Sequence, residues 1–135
     1  MEDVDSVSYY DFEDVHLKSI KNALKYKNLE RIYAGENDIS SIPKNIKILK
    51  KLNYLILDNN SIGAIPIELY DLIHIKEFHI YENKICELSL NFNNLVRMKE
   101  FTIHHNYLTK IKLKCKKINY FEFSDNNIEI LVNFV

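Results

Sequence analysis

The segment Leu52-Asn53-Tyr54-Leu55-Ile56-Leu57-Asp58-Asn59-Asn60-Ser61-Ile62 decides the fold. Leu55 and Leu57 stand two positions apart, so in an extended chain both side chains point to one side of the strand and their neighbours point to the other. Asn60 follows where the chain turns out of the strand. The segment therefore predicts a short strand with one buried face that ends in a turn at an asparagine.

The same register recurs along the chain. Copies begin at Leu29, Leu52, Ile75 and Met98 with a constant spacing, and a fifth begins at Ile118 after a slightly shorter interval. Each copy has an asparagine at the same register position: Asn37, Asn60, Asn83, Asn106 and Asn126. A fixed period, such as the interval from Leu29 to Leu52, indicates a repeat architecture. The predicted repeats are 29–51, 52–74, 75–97, 98–117 and a partial copy at 118–135.

The second half of each repeat predicts a return arc. Pro43 and Pro66 occupy equivalent positions, and Ser89 takes that place in the third copy. Proline fixes φ ahead of the next turn. Ile46 and Leu49 then stand three positions apart, as do their equivalents in the next copy, which can place one face of a helical turn against the strands.

The whole pattern resembles the leucine-rich repeat family, of the intracellular 23-residue type LxxLxLxxNxLxxLPxxLxxLxx. The resemblance extends from Leu29 to about Leu131. It implies an α/β fold, a leucine-rich repeat solenoid with a short curved parallel β-sheet and helical or irregular convex arcs. The asparagine side chain both donates and accepts hydrogen bonds, so stacked copies would form an Asn ladder along the turns.

The two ends of the repeat array carry different expectations. Residues 1–13 are acidic and are expected to be flexible. Residues 14–28 are predicted to form a helical N-terminal cap, with Asp14 as the N-cap and Leu17, Ile20 and Leu24 on its apolar face. At the C-terminus the residues 131–135 are either a short degenerate cap, an adhesive edge that pairs with another chain, or the mark of a shortened relative of a longer protein.

In leucine-rich repeat proteins the concave face of the sheet is the usual binding site, and the resemblance implies the same here. Its outward positions combine aromatic and acidic residues, which suit a partner that carries Lys or Arg. The alternative is an ordinary solvated sheet surface in a tyrosine-rich chain. The candidate partner-binding residues are Arg31, Tyr33, Tyr54, Ile56, Asp58, Glu77, His79, Tyr81, His104 and Tyr120.

Three other groups admit a functional or a purely structural interpretation. His79, His104 and His105 with Glu82 resemble a zinc ligand set, but solvent-exposed histidines are preferred, so no metal is predicted. Cys86 and Cys115 are expected to be buried small hydrophobes. The run Lys110, Lys112, Lys114, Lys116 and Lys117 is either a docking strip for an acidic partner or phosphate backbone, or a strand-like arc whose lysines face solvent and discourage pairing at an edge.

The composition and charge of the chain argue against several classes of function. The formal net charge of −1 gives no overall basic field for nucleic acid, and no apolar stretch matches the roughly 20 residues of a membrane span. No secretory signal precedes the acidic start, which favours a cytoplasmic or otherwise intracellular protein. Phosphate-binding and nucleophile motifs are absent from the sequence.

We therefore expect a non-enzymatic protein-protein interaction module without cofactors, which binds another protein through its concave face. The alternative is a structural or assembly protein that self-associates, or docks to a larger repeat protein, through an open C-terminal edge.

Overall fold

The computed structural model describes residues 3–12, 15–91, 94–114 and 118–133. The larger of its two sheets contains, in spatial order, β1 (Tyr9–Asp11), β2 (Arg31–Tyr33), β3 (Tyr54–Ile56), β4 (Glu77–His79), β6 (Glu100–Thr102) and β8 (Tyr120–Glu122). The smaller sheet contains β5 (Glu87–Asn91), β7 (Lys110–Lys114) and β9 (Ile130–Asn133). Three short 3-10 helices are η1 (Lys21–Lys25), η2 (Lys44–Ile48) and η3 (Ile67–Asp71).

All the strand pairs in the described residues are parallel, and the six-stranded sheet with few helices is compatible with the predicted α/β class. The pairing follows one register. Arg31 lies opposite Tyr54, Tyr54 opposite Glu77 and Glu77 opposite Glu100, so the offset in sequence is constant. Glu100 then lies opposite Tyr120, which reproduces the shorter interval before the last copy. Equivalent residues of successive segments therefore stand side by side across the sheet.

The core lies on the inner side of the six-stranded sheet. The central residue of each strand points inward, and Ile32, Leu55, Phe78 and Phe101 have no exposed surface. The rings of Phe78 and Phe101 stack with centroids 5.3 Å apart, and Phe101 stacks equally closely on Phe121. Offset ring pairs of this kind add stabilisation beyond the apolar area that they bury. The alternation predicted from the sequence thus places one continuous column of side chains in the core.

The return arcs that contain a proline differ in structure from the arc that lacks one. Pro43 and Pro66, with φ of −65° and −69°, immediately precede the 3-10 helices η2 and η3. These turns bury Ile46 and Leu69 against the strands, as the spacing predicts. The third arc has Ser89 instead and continues as the extended strand β5, which pairs with β7. Without a proline to set the turn, the alternating sequences of these later arcs form the second parallel sheet.

The N-terminal predictions are wrong in two respects. Residues within the segment expected to be flexible form β1, which pairs with β2 and joins the larger sheet. Instead of a helix over 14–28, the described residues of this segment contain only the 3-10 helix η1, and the predicted N-cap Asp14 lies outside the described residues. The backbone N–H of Leu17 donates to Asn37 Oδ1 at 2.8 Å, and its carbonyl accepts from Asp38 N at 2.9 Å. These bonds to the first turn hold the segment outside a helix, while Ile20 and Ala23 still reach the core.

Two further expectations are corrected. Cys86 is exposed and free rather than buried; Cys115 lies outside the described residues.

The lysine run does contribute a strand, β7, but this strand pairs on one side with β5 and on the other with β9. It is therefore the central strand of the smaller sheet, and its lysines do not protect an edge. Lys116 and Lys117 lie outside the described residues.

No helix in the described part of the chain has the length and apolar character needed to cross a membrane.

The five register asparagines connect each segment to the preceding one. Asn83 Oδ1 accepts from Ile62 N at 2.9 Å, and its Nδ2 donates to Leu57 O at 3.0 Å. Asn60 makes the same two bonds to Ile39 and Ala34. Asn106 and Asn126 repeat the arrangement one and two segments later. Each side chain also donates to carbonyls within its own turn. Asn37 makes the corresponding bonds to the N-terminal segment: its Oδ1 accepts from Leu17 N and its Nδ2 donates to Phe12 O.

We predict that Asn83→Ala lowers the free energy of unfolding by about 2–4 kcal/mol, because a buried N–H and buried carbonyls lose their partner together. Asn83 is 5% exposed, so water cannot readily replace the amide. The measurement is urea unfolding followed by far-UV circular dichroism. The control is Asn53→Ala, whose side chain makes only an exposed bond to Lys51 O. It should change stability by less than about 0.5 kcal/mol; equal losses in both variants would contradict the ladder.

Candidate functional site

The outward side chains of the six-stranded sheet, with those of the residues that follow its strands, form one surface, which we call the outer sheet face. It has four columns, each at one register position. The first two columns are Tyr9, Arg31, Tyr54, Glu77, Glu100 and Tyr120, and then Asp11, Tyr33, Ile56, His79, Thr102 and Glu122. The third contains Gly35, Asp58, Tyr81, His104 and Ser124, and the fourth Glu36, Asn59, Glu82, His105 and Asp125.

All ten candidate partner-binding residues lie on this face. Arg31 and Tyr120 are exposed, and Asp58 is buried. The other seven are partly buried: Tyr33, Tyr54, Ile56, Glu77, His79, Tyr81 and His104. The structure therefore brings the ten candidate residues to one surface, on which most of them are partly buried.

Strand β1 also contributes to this face, which the repeat pattern did not predict. Tyr9 lies against Tyr33, with ring centroids 5.4 Å apart, and its hydroxyl lies 2.8 Å from Asp11 Oδ2. A sequence signal was present, since Val7, Tyr10 and Phe12 have the same spacing as the apolar strand positions Leu29, Ile32 and Ala34 of the next segment. No asparagine completes that copy, so the segment did not stand out as a repeat.

Aromatic rings at the N-terminal half of the face already hold a cation. The guanidinium carbon of Arg31 lies 5.0 Å from the centroid of the Tyr54 ring. A guanidinium over an aromatic face is attracted by the ring quadrupole. The face thus contains an aromatic ring placed to bind a guanidinium group, and in this chain Arg31 supplies that group.

Asp58, Tyr81 and His104 lie side by side in the third column, just after three neighbouring strands. The rings of Tyr81 and His104 are nearly parallel, with centroids 4.4 Å apart. Burial raises the pKa of Tyr81, and the charge of Asp58 and a hydrogen bond to it raise the pKa further. His104 Nδ1 is buried and has no hydrogen-bond partner among the described residues. The third column therefore brings a ring pair and a carboxylate into contact.

His79 lies between two carboxylates on neighbouring strands. Its Nδ1 lies 2.7 Å from Thr102 Oγ1, while its Nε2 lies 3.5 Å from Glu77 Oε2 and 4.0 Å from Glu100 Oε1. The zinc group considered from the sequence is not assembled, because His105 instead faces Asp125, with Nε2 to Oδ2 at 3.3 Å. The rings of His104 and His105 meet edge to face.

The fourth column is held in an unusual backbone conformation. Its five residues Glu36, Asn59, Glu82, His105 and Asp125 all have φ between 51° and 52°. This left-handed region costs a residue other than glycine roughly 1 kcal/mol or more. Four of the five N–H groups donate to a carbonyl of the next segment, as from Glu36 to Asp58 O at 2.8 Å and from Glu82 to His104 O at 3.0 Å, and these bonds stabilise the conformation. The turn geometry therefore aligns these side chains in a row.

Charge on the outer sheet face is strongly one-sided. Its only Lys or Arg is Arg31, whereas eight of its residues are acidic: Asp11, Glu36, Asp58, Glu77, Glu82, Glu100, Glu122 and Asp125. The chain as a whole is nearly neutral, with 19 acidic and 18 basic residues. At the C-terminal side of the face, hydrogen bonds from Ser124 lower the pKa of Glu122, and the charge of Glu122 raises the pKa of Tyr120.

Comparison with family models and with curated proteins finds no match for this chain.

We predict that Asp58→Asn lowers the pKa of Tyr81, because it removes the carboxylate that disfavours the phenolate. Burial persists, so the pKa should remain above its ordinary value of about 10. The titration of the Tyr81 ring carbon can be followed by NMR, with Tyr81→Phe to assign the signal and Asp71→Asn as a control on another surface. A Tyr81 pKa that does not fall in Asp58→Asn would contradict the contact.

A raised folded-state pKa also means that Tyr81 stabilises the fold below pH 10 and loses that contribution as the pH rises through its folded pKa.

Proposed function

We propose that this chain is a leucine-rich repeat solenoid and acts as a non-catalytic protein-protein interaction module, which binds its partner through the outer sheet face as the concave surface. Three observations support the solenoid assignment. Strand pairing has a constant offset, the equivalent asparagines make equivalent bonds, and the turn residues share one conformation. The residue pattern beginning at Leu29 resembles that family throughout.

The observation that carries the functional proposal is the composition of the face, which combines eight carboxylates with exposed and partly buried tyrosines. Complementary charge accelerates encounter and selects partners, while tyrosine supplies a large contact area at low entropic cost. Arg31 over Tyr54 is an internal example of the contact that a partner's arginine would make. The proposed partner is therefore a protein segment with clustered Arg or Lys.

The face is also preorganised for binding. Packed rings such as Tyr81 on His104 have little rotamer freedom to lose, and the turns that border them are fixed by hydrogen bonds to the next strand. A surface that is already ordered pays a smaller entropic cost on association. This rigidity distinguishes the outer sheet face from a set of independent solvated side chains.

We predict that the double variant Tyr54→Ala/Tyr81→Ala abolishes capture of a specific protein from a host lysate, because it removes two central rings of the face. The measurement is affinity capture with mass spectrometry, run beside the wild type at low and high salt. Specific capture by the wild type should also weaken as salt screens the carboxylates.

Tyr107→Ala serves as the control, since this tyrosine is exposed but lies outside the outer sheet face. It should capture the same proteins as the wild type. Circular dichroism establishes that each variant is folded. Identical capture by the wild type and the folded double variant would contradict the assignment of the site.

A second candidate function is assembly through the C-terminal edge. In the described residues, β8 and β9 each pair with only one neighbouring strand. The inward residues Phe121, Phe123 and Ile128 are partly exposed, whereas their equivalents one segment earlier, Phe101 and Ile103 among them, are fully buried. A second copy, or a larger repeat protein, that adds a parallel strand at this edge would cover these side chains.

If this edge mediates self-association, the molar mass measured by light scattering rises with protein concentration. Tyr120→Lys/Ile130→Lys should then keep the chain monomeric, because both residues are about half exposed and belong to the two edge strands. Val96→Lys, at an exposed residue outside these strands, is the matched control. A constant monomer mass at all concentrations would exclude self-association through the edge.

A further inference from the structure

A cluster with the composition of a metal site lies on the outer sheet face, and it shares only His79 with the group considered from the sequence. Glu77, His79 and Glu100 each offer one ligand atom, and these three atoms lie within 4.8 Å of one another. The residues belong to the neighbouring strands β4 and β6. The cluster is the one group of three such side chains found among the described residues.

We propose that Glu77, His79 and Glu100 bind a single Zn²⁺ ion that links β4 to β6. One imidazole and two carboxylates are ligands that zinc accepts, and three protein ligands leave a fourth position for water or for a group from a partner. Hard cations such as Ca²⁺ and Mg²⁺ prefer oxygen ligands only, so the imidazole favours zinc over them.

The orientation of the histidine supports the site. Thr102 Oγ1 lies 2.7 Å from His79 Nδ1, on the side of the ring away from the carboxylates. When Nδ1 donates its proton to this hydroxyl oxygen, the lone pair of Nε2 faces Glu77 and Glu100. Outer hydrogen bonds of this type fix the tautomer and the ring of metal-binding histidines. The ring is also held by packing, since the side chain of His79 is 15% exposed.

The charges within the cluster give a second reason to place a cation there. Glu77 and Glu100 lie directly opposite each other on paired strands, an arrangement in which like charges destabilise a sheet. The residues directly opposite on the two neighbouring strands carry no positive charge: they are Tyr54 and Ile56 on β3, and Tyr120 and Glu122 on β8. A divalent cation between the two carboxylates would remove this repulsion.

The distances are close to those of a closed site. Tetrahedral zinc with bonds of about 2.0–2.2 Å separates its ligand atoms by about 3.4 Å. His79 Nε2 is already 3.5 Å from Glu77 Oε2 and 4.0 Å from Glu100 Oε1. The side chains of Glu77 and Glu100 are 37% and 39% exposed, so rotation of the carboxylates can complete the closure.

The test is isothermal titration of untagged, chelator-treated protein with Zn²⁺, followed by X-ray absorption at the zinc edge. We expect one saturable site whose spectrum shows nitrogen and oxygen ligands without sulfur. His79→Ala and the isosteric Glu100→Gln should abolish this site, and Thr102→Val should weaken it by about 10–100-fold. Ca²⁺ and Mg²⁺ at the same concentrations should not compete.

Two controls keep the result specific. His105→Ala retains the site, because His105 faces only one carboxylate, that of Asp125. Cys86→Ser also retains it and excludes binding by the exposed thiol. The proposal is overturned if the wild type shows no saturable binding, if sulfur ligands appear, or if folded Glu100→Gln binds zinc as the wild type does. None of these outcomes depends on whether a protein partner binds the face.

Discussion

The constraint on which the rest of the structure depends is the hydrogen bonding of one asparagine side chain per segment. At the end of each strand the chain turns, and backbone groups there have no partner within their own segment. Asn60, Asn83 and Asn106 accept from an N–H of the preceding segment and donate to carbonyls of both segments. Buried backbone groups must be satisfied in this way, so the side chain fixes both the turn and the register of the neighbouring strand.

The outer sheet face is a consequence of this register. Once the segments are aligned, equivalent positions form columns, and the residue at each position decides what the column presents. The first column brings Glu77 beside Glu100, and the third brings Tyr81 against His104. In the same turns the fourth column adopts a left-handed conformation, and four of its five residues donate their backbone N–H to the next segment. An acidic and aromatic face therefore arises from a backbone arrangement that is the same in every segment.

Periodicity was sufficient to predict the strands, the buried columns and the turn asparagines, because all of them repeat. It failed where the chain departs from the repeat. The strand β1 lacks an asparagine, and the predicted N-terminal helix is replaced because Leu17 bonds to the first turn at Asn37. The second sheet begins where the arc has Ser89 and no proline. These differences arise from tertiary hydrogen bonds that a local apolar pattern does not contain.

The site was predictable only in part for a related reason. Register placed the ten candidate residues on one face, but the contacts between them depend on rotamers. His79 could be grouped with His104 and His105 from their strand positions, whereas in the structure it turns toward Glu77 and Glu100. The burial of Asp58 beneath the face likewise follows from its contact with Tyr81 rather than from residue type.

The central claim is that asparagine side chains join the segments, and amide hydrogen exchange measured by NMR tests it most directly. The backbone N–H groups of Ile39, Ile62 and Ile85 lie outside the strands and donate to Asn60, Asn83 and Asn106. The account predicts protection at these three amides comparable to that of the strand amides. Exchange at the rate of an exposed loop would contradict it.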